Sequence, residues 1–266
     1  MKAHGRVFVV TGGGSGIGRE LVRGLLGRGA RVAAVDLNRA ALEETARLLQ
    51  AGERLSLHQL DIADLEAVSA LPQQVIDHHK AVDGLINNAG IIQPFVPVVQ
   101  LDYRTIERVM RVNFYGTLYM TKAFLPHLLA RPEAHIVNVS SMGGFLPVPG
   151  QTLYGAAKAA VKLFTEGLYA ELLQTKVRVT VVFPGAVATG IAAHSGVEIA
   201  RPEGQESSIK PVPPEQAARE ILNGMEKDRF RVLVGPDARL MDLLYRLSPE
   251  RATRLIQQRM RSLLRR

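Results

Sequence analysis

Seven short runs of apolar, often β-branched residues recur along this chain, and each of the first six is followed by a longer stretch of helical periodicity. The runs are residues 6–12, 31–36, 55–61, 84–90, 135–141, 177–185 and 229–235. They are continuous rather than alternating, as strands covered on both faces must be. Helical stretches are predicted near 16–28, 39–51, 64–80, 102–128, 153–175 and 214–227. Strand followed by helix at this rhythm predicts an α/β fold: a doubly wound, seven-stranded parallel sheet with helices on both faces. No linker or repeat divides residues 1–236, which read as one domain. Residues 189–214, rich in Gly, Pro and Ser, read as a lid or insert. Residues 237–266 read as a helical extension with two apolar stripes. Leu240, Leu243, Leu244 and Leu247 form the first, and Ala252, Leu255, Ile256, Met260 and Leu263 the second.

Composition narrows the class. The chain of 266 residues has 47% hydrophobic and 22% charged residues and no cysteine. That profile suits a globular protein and excludes disulfides, thiolate metal sites and a cysteine nucleophile. No apolar run reaches the ~20 residues that span a bilayer. The N-terminal segment lacks the features of a signal peptide, so a cytoplasmic protein is expected. The net charge is +8, and residues 239–266 contribute +6 of it through eight arginines against Asp242 and Glu250. The basic pI therefore describes the tail, and no nucleic-acid partner is expected. The seven histidines show no ligand cluster, so no metal is expected, and His78 and His79 are expected on a solvated helix face.

The first run leads into "VVTGGGSGIGRE". Gly12, Gly16 and Gly18 can turn tightly, admit a phosphate and let helix pack on strand, and the helix N-terminus then faces a pyrophosphate. Ser15 and Ile17 complete this loop. With strand before and helix after, it predicts a Rossmann-type dinucleotide site. Asp36 ends the second run, 18 residues beyond Gly18, where an acid accepts hydrogen bonds from the adenosine ribose. A carboxylate there repels a 2′-phosphate, so NAD is favoured over NADP, with Arg39 the one nearby cation that argues otherwise. The other reading of Asp36 is a helix cap.

Tyr154 and Lys158, in "TLYGAAKAA", are spaced i and i+4 on one helix face. A nearby ammonium stabilises a phenolate and makes tyrosine a usable base. Taken together, the glycine loop, Asp36, "NNAG" at 87–90, a serine after the fifth run and Tyr-x3-Lys resemble the short-chain dehydrogenase/reductase family over residues 5–235. The resemblance implies that Tyr154 is the acid/base and that Lys158 is its electrostatic partner and a ribose ligand. It implies that Ser141, 13 residues before Tyr154, bonds the substrate oxygen, with adjacent Ser140 the poorer match in spacing. Asn113 would hold a water linking Lys158 to solvent. Asp61 and Ile62 would form the adenine pocket, and Asn87, Ala89 and Gly90 would line the cofactor. Pro184, Gly185, Val187 and Thr189 would close on the nicotinamide.

The implied reaction interconverts a secondary alcohol and a ketone by hydride transfer. Met142, Phe145, Leu146, Val148, Leu153, Ile91, Ile92, Phe95 and Ile191 are expected near the substrate. They are apolar, so the expected partner is a lipophilic alcohol or ketone of steroid, retinoid or fatty type. Rival readings are a non-catalytic NAD sensor and a membrane-surface module using the tail. Many family members end in a short segment of a tetramer interface, and this chain continues instead, so homodimer and homotetramer both stay open. The tail is expected on the body or a partner subunit first, and on an anionic membrane second.

Overall fold

The computed structural model describes residues 1–198 and 210–260, so Leu263, the last three arginines and the middle of the expected lid lie outside the described residues. Seven strands form one sheet in the order β3-β2-β1-β4-β5-β6-β7, and every adjacent pair is parallel. The strands are β1 (Val7–Thr11), β2 (Arg31–Asp36), β3 (Leu55–Gln59), β4 (Gly84–Asn87), β5 (Ala134–Val139), β6 (Val177–Pro184) and β7 (Arg231–Val234). Chain direction across the sheet reverses between β1 and β4. Their carboxyl ends therefore leave a crevice, the usual ligand site of such folds.

The continuity of the apolar runs has a plain cause. In β1, Phe8 and Val10 face a core with Leu21, Val22 and Leu25 of α1 (Gly16–Gly27) and Ile221, Leu222 and Met225 of α8 (Pro214–Glu226). Val7 and Val9 face the other core, with Val68, Leu71 and Val75 of α3 (Leu65–His79), Met120 and Phe124 of α5 (Gly116–Leu129), and Leu168 of α6 (Thr152–Leu172). Both side-chain sets of one strand are thus removed from water.

Caps explain several boundaries. Asn38 accepts from Ala41 N at 3.1 Å and starts α2 (Arg39–Leu49). Asp64 accepts from Glu66 N and Ala67 N and starts α3. Asn38 rather than Asp36 therefore caps α2. The long predicted helix at 102–128 is α4 (Tyr103–Met110) and α5 joined by a π-helical turn at Arg111–Tyr115. His79 corrects the expectation of a solvated histidine pair. It is buried, and its Nε2 lies 2.9 Å from Ser56 Oγ, which also meets His58 Nε2 at 2.8 Å. Adjacent helical residues point about 100° apart, so His78 stays out while His79 turns to the sheet. Burial lowers the His79 pKa to about 4.

The extension folds as α9 (Pro236–Leu247) and α10 (Pro249–Met260). The packing face of α9 shares only Leu244 with the leucine stripe. Met241, Leu244 and Tyr245 join Ala252 and Ile256 over Met142, Phe145 and buried Leu146. Leu240, Leu243 and Leu247 are 53%, 55% and 74% exposed. The apolar arc of α9 is wide enough to serve from either side. Asp237 bonded to Ala186 N at 2.7 Å and Asp242 bonded to Arg231 at 3.0 Å fix which side faces inward.

Candidate active site

The glycine loop lies at the crevice between β1 and β4. Gly12 has φ +71°, a conformation costly for any other residue, and a Cβ at Gly18 would land on the Gly12 carbonyl. The loop is held from behind. Arg19 donates to the Gly14 carbonyl at 2.7 and 3.1 Å, and Thr45 Oγ1 donates to the Gly13 and Gly14 carbonyls at 3.2 Å. Ser15 precedes α1 without a side-chain cap bond, so the first amides of α1, beginning at Gly16 and Ile17, are left to an outside acceptor. A tight turn without side chains in front of a helix N-terminus fits a dinucleotide pyrophosphate.

Asp36 lies beside this loop. Its Oδ2 accepts from Gly14 N and its Oδ1 from Asn38 N, both at 3.0 Å. Arg39 donates to Glu43 at 2.8 Å. Asp61 is exposed and accepts from Ala63 N at 2.8 Å, and Ile62 is buried against Gly116. Across the crevice, Asn88 N and Ala89 N both donate to Thr11 Oγ1 at 3.0 Å. Asn88 Nδ2 reaches the Thr11 carbonyl at 3.0 Å. Thr11 was not among the expected residues, and a single threonine at a strand end carries no distinctive signal. The Asn87 side chain points inward, to Asn138 at 2.8 Å and Thr121 at 3.1 Å, so only its backbone faces the crevice.

Beyond β6, Gly185 N pairs with the Val234 carbonyl, and Val187 bridges Val212, which pins both ends of the expected lid. The Thr189 side chain lies against Gly16, and His194 Nδ1 of α7 (Ile191–Ser195) is 3.4 Å from Ser15 Oγ. The lid base therefore stands over the glycine loop. Asp237 was also missed. It crosses from the extension to hold Ala186 and fills the space a side chain at Gly185 would need.

Four expected residues meet farther along the crevice. Tyr154 is the third residue of α6, and its phenol is hydrogen-bonded to Ser141. Ser141 Oγ accepts from Gly143 N at 3.0 Å. Lys158 is buried, donates to the Val139 carbonyl at 3.0 Å and stands 5.9 Å from the centre of the Tyr154 ring. Asn113, fully buried in the π turn, accepts from Ile91 N at 3.0 Å and donates to Ile91 O at 2.9 Å. A Cβ on Gly90 would lie 2.7 Å from Asn113 Oδ1 and 3.1 Å from Lys158 Nζ, so the three residues adjoin. Ser140 is separated from Ser141 by function of direction: its hydroxyl donates to the Lys158 carbonyl at 2.7 Å and ties α6 to β5.

Burial sets the acidities. It pushes the Tyr154 phenol above its ordinary value of 10.0, and the Ser141 bond opposes this only partly. Burial lowers the Lys158 pKa from 10.5 to about 8. Both groups are held toward their neutral forms. Among the described residues, no group of three or more His, Asp or Glu side chains is arranged to hold a metal ion.

A glycine cradle, an acid at the end of β2, and Ser, Tyr and Lys at the carboxyl edge of a parallel sheet are the arrangement expected of a nicotinamide-dependent oxidoreductase. Residues 6–198 match the short chain dehydrogenase family, and the chain belongs to it. It is 40% identical over 263 residues to SadH of Mycobacterium tuberculosis, a protein named as an oxidoreductase, covering 95% of this chain and 94% of that one. It is 30% identical over 248 residues to a fatty acyl-CoA reductase of Acinetobacter baylyi, covering 92% and 81%. A short chain dehydrogenase/reductase of Burkholderia phymatum, solved with NAD, superposes with a TM-score of 0.84 at 26% identity, over 94% of this chain and 96% of that one. A short chain dehydrogenase of Burkholderia cenocepacia, solved with NADP, gives 0.81 at 28% identity, over 96% and 99%. The chain is thus a short-chain oxidoreductase acting on CH–OH groups, with a Rossmann-type site for NAD or NADP. No helix among the described residues is long and apolar enough to cross a membrane.

Proposed function

We propose that this protein interconverts a lipophilic secondary alcohol and its ketone with NAD, using Tyr154 as acid/base. The observation that carries the reading is the convergence of Ser141, Tyr154, Lys158 and Asn113 beside the glycine cradle. NAD⁺, when bound, supplies the hydride acceptor. Gly12, Ser15, Gly16, Ile17 and Gly18 would hold its pyrophosphate, Asp36 its adenosine ribose, and Asp61 and Ile62 its adenine. Asn87, Ala89, Gly90, Pro184, Gly185, Val187 and Thr189 would line its nicotinamide half. Ser141 orients the substrate oxygen, and Tyr154 takes its proton in oxidation or returns one in reduction. Lys158 offsets the charge on the phenolate, and Asn113 holds the Gly90–Ile91 segment against it. Help of this kind is typically worth 10²–10⁴-fold.

Two observations favour NAD. Asp36 stays beside Gly14, and Arg39 is engaged by Glu43. The lipophilic preference is supported by the apolar cluster of Met142, Phe145, Met241, Leu244 and Tyr245 that adjoins Ser141. Within the extension of residues 237–266, α9 and α10 are in this reading a wall of the substrate side built onto the catalytic unit of residues 1–236. Tyr103, Tyr115 and Leu163 are exposed and would be buried in a homo-oligomer in this reading. Exposed Leu240, Leu243 and Leu247 give α9 a second reading as a peripheral membrane contact, which vesicle flotation of the intact protein would test.

The deciding experiment follows NADH formation with secondary alcohols of increasing chain length, with NAD⁺ and NADP⁺ in parallel. The reading expects kcat/KM to rise with chain length and to be larger with NAD⁺. No turnover with any alcohol or ketone would leave a nucleotide-sensing protein instead.

A further inference from the structure

The N-terminus of α6 is capped by a side chain from another part of the chain. Gln151 takes the cap position, yet its side chain makes no cap bond. The N–H groups of Leu153 and Tyr154 donate to Oε1 of Gln93 at 2.8 and 3.0 Å. Gln93 Nε2 donates to the Gly150 carbonyl at 3.0 Å, and Gln151 Nε2 donates to the Gln93 carbonyl at 2.7 Å. Gln93 is fully buried. A local Ser, Thr, Asn or Asp normally satisfies these second and third N–H groups. Here the acceptor comes from the loop that follows β4.

The same loop holds two other parts of the site. Ile91 exchanges two hydrogen bonds with Asn113. Ile92 N donates to Ser195 Oγ at 2.9 Å, and Ser195 in turn donates to the Ile191 carbonyl inside α7. Three successive residues thus bind Asn113, the lid helix and the helix carrying Tyr154.

We propose that Gln93 is a positioning residue, which caps α6 at Tyr154 itself and so fixes the phenol against Ser141 and Lys158. The proposal rests on the reading of Tyr154 as the acid/base. An uncapped first turn frays, and Tyr154 lies in that turn. Small displacements of a reacting group are costly because its alignment is lost. Gln93 acts through the Tyr154 backbone and touches neither substrate nor cofactor in this scheme.

Two substitutions separate positioning from mere folding. Gln93→Leu removes the acceptor, and Gln93→Glu keeps an acceptor while placing a carboxylate at the start of α6. In Gln93→Leu, amide exchange over 152–156 should rise about tenfold, and kcat for alcohol oxidation should fall roughly tenfold, the scale of one lost cap. KM for NAD⁺ should stay within about twofold, because the glycine loop is untouched. The acid limb of the kcat profile should move to higher pH as the phenol loses its Ser141 bond. Gln93→Glu should restore slow exchange while also moving that limb upward, since a buried carboxylate opposes the phenolate. Faster exchange in Gln93→Leu with kcat and limb unchanged would make Gln93 a structural cap only and overturn the proposal. If Gln93→Leu does not fold, Gln93→Asn, whose shorter side chain draws the acceptor back from the Leu153 and Tyr154 N–H groups, replaces it, and faster exchange over 152–156 with kcat and limb unchanged would overturn the proposal equally. An unmodified protein without turnover would remove the reaction and the proposal together, whereas an active unmodified protein whose Gln93→Leu variant keeps its kcat and limb removes Gln93 alone.

Discussion

Replacing Lys158 by methionine should stabilise the fold while ending its chemistry. The Lys158 ammonium is buried and, among the described residues, has one hydrogen-bond acceptor, the Val139 carbonyl. Its pKa falls from 10.5 to about 8, a gap equivalent to ~3 kcal/mol of unfavourable burial of the charge. Methionine fills similar space without a charge, and it leaves the Val139 carbonyl without this donor, which costs ~1 kcal/mol. The net gain is therefore ~2 kcal/mol at pH 6–7, or about 5 °C in Tm for a chain of this size. The pH dependence follows from the sign of the shift. The folded value lies below the unfolded one, so the unfolded chain holds more protons between pH 8 and 10.5. The penalty is fully present below about pH 8 and disappears as pH rises through that window. Urea melts of both proteins at pH 6.5, 8 and 9.5 would measure it, because all other titrations cancel in the difference. Lys158→Met should be the more stable protein at pH 6.5, with the gap closing by pH 9.5 and beyond. A variant less stable at every pH, or a gap that does not vary with pH, would refute the account of Lys158 as a buried, uncompensated charge.

Other substitutions isolate other parts of the site. Tyr154→Phe should lower kcat by about 10²–10⁴-fold with Kd for NAD within about twofold, read by NADH formation and by fluorescence titration. Asp36→Ala should shift the NAD-to-NADP preference by about 1–3 kcal/mol toward NADP, read as the ratio of the two kcat/KM values. An unmodified protein that already prefers NADP would show that Asp36 does not repel the 2′-phosphate. Gly18→Ala should abolish cofactor binding, since the added methyl would occupy the Gly12 carbonyl's position, and an unchanged Kd would contradict that geometry. Ile256→Ala should cost about 2–5 kcal/mol locally and loosen α10 from Leu146. Hydrogen exchange should then report faster opening of 249–260 while 6–36 stays protected.

Much of this was legible because it depends on local pattern. Each apolar run became a strand because both faces of the sheet are covered, and the glycines stand where a strand turns into a helix. The unread features are those made by residues distant in sequence. Gln93 caps a helix some sixty residues later, and a buried glutamine between Ile92 and Pro94 has no periodicity to announce it. Asp237 looks like an ordinary first-turn acid of α9, yet it also holds Ala186. The π turn at Arg111–Tyr115 was invisible because the helical pattern runs through it unbroken. Which side of the tail faces the body was not legible for a different reason. Leu240, Leu243 and Leu247 outweigh Met241 and Tyr245 in any pattern, whereas the side that packs is set by Asp237 on Ala186, Asp242 on Arg231 and the ring of Phe145, 6.4 Å from that of Tyr245.

The electrostatics of the Tyr154–Lys158 pair show why spacing alone is an incomplete argument. An i, i+4 ammonium was expected to lower the phenol's pKa. In the folded protein burial acts on both groups at once, raising the phenol and lowering the amine. A lone charge on either is unfavourable in that environment, and a pair of opposite charges in contact is much less so, because attraction grows as the surroundings lose polarity. The Lys158 ammonium is held by the Val139 carbonyl, 5.9 Å from the Tyr154 ring centre. The phenolate therefore becomes accessible only when positive charge is brought close to it. In the proposed mechanism Lys158 supplies that charge by keeping its proton. The Ser141 hydroxyl supplies a weaker, neutral contribution. Burial, which works against the phenolate at rest, is also what makes each nearby cation effective during proton transfer, so polar substitutions that let water reach Tyr154 should weaken its response to Lys158.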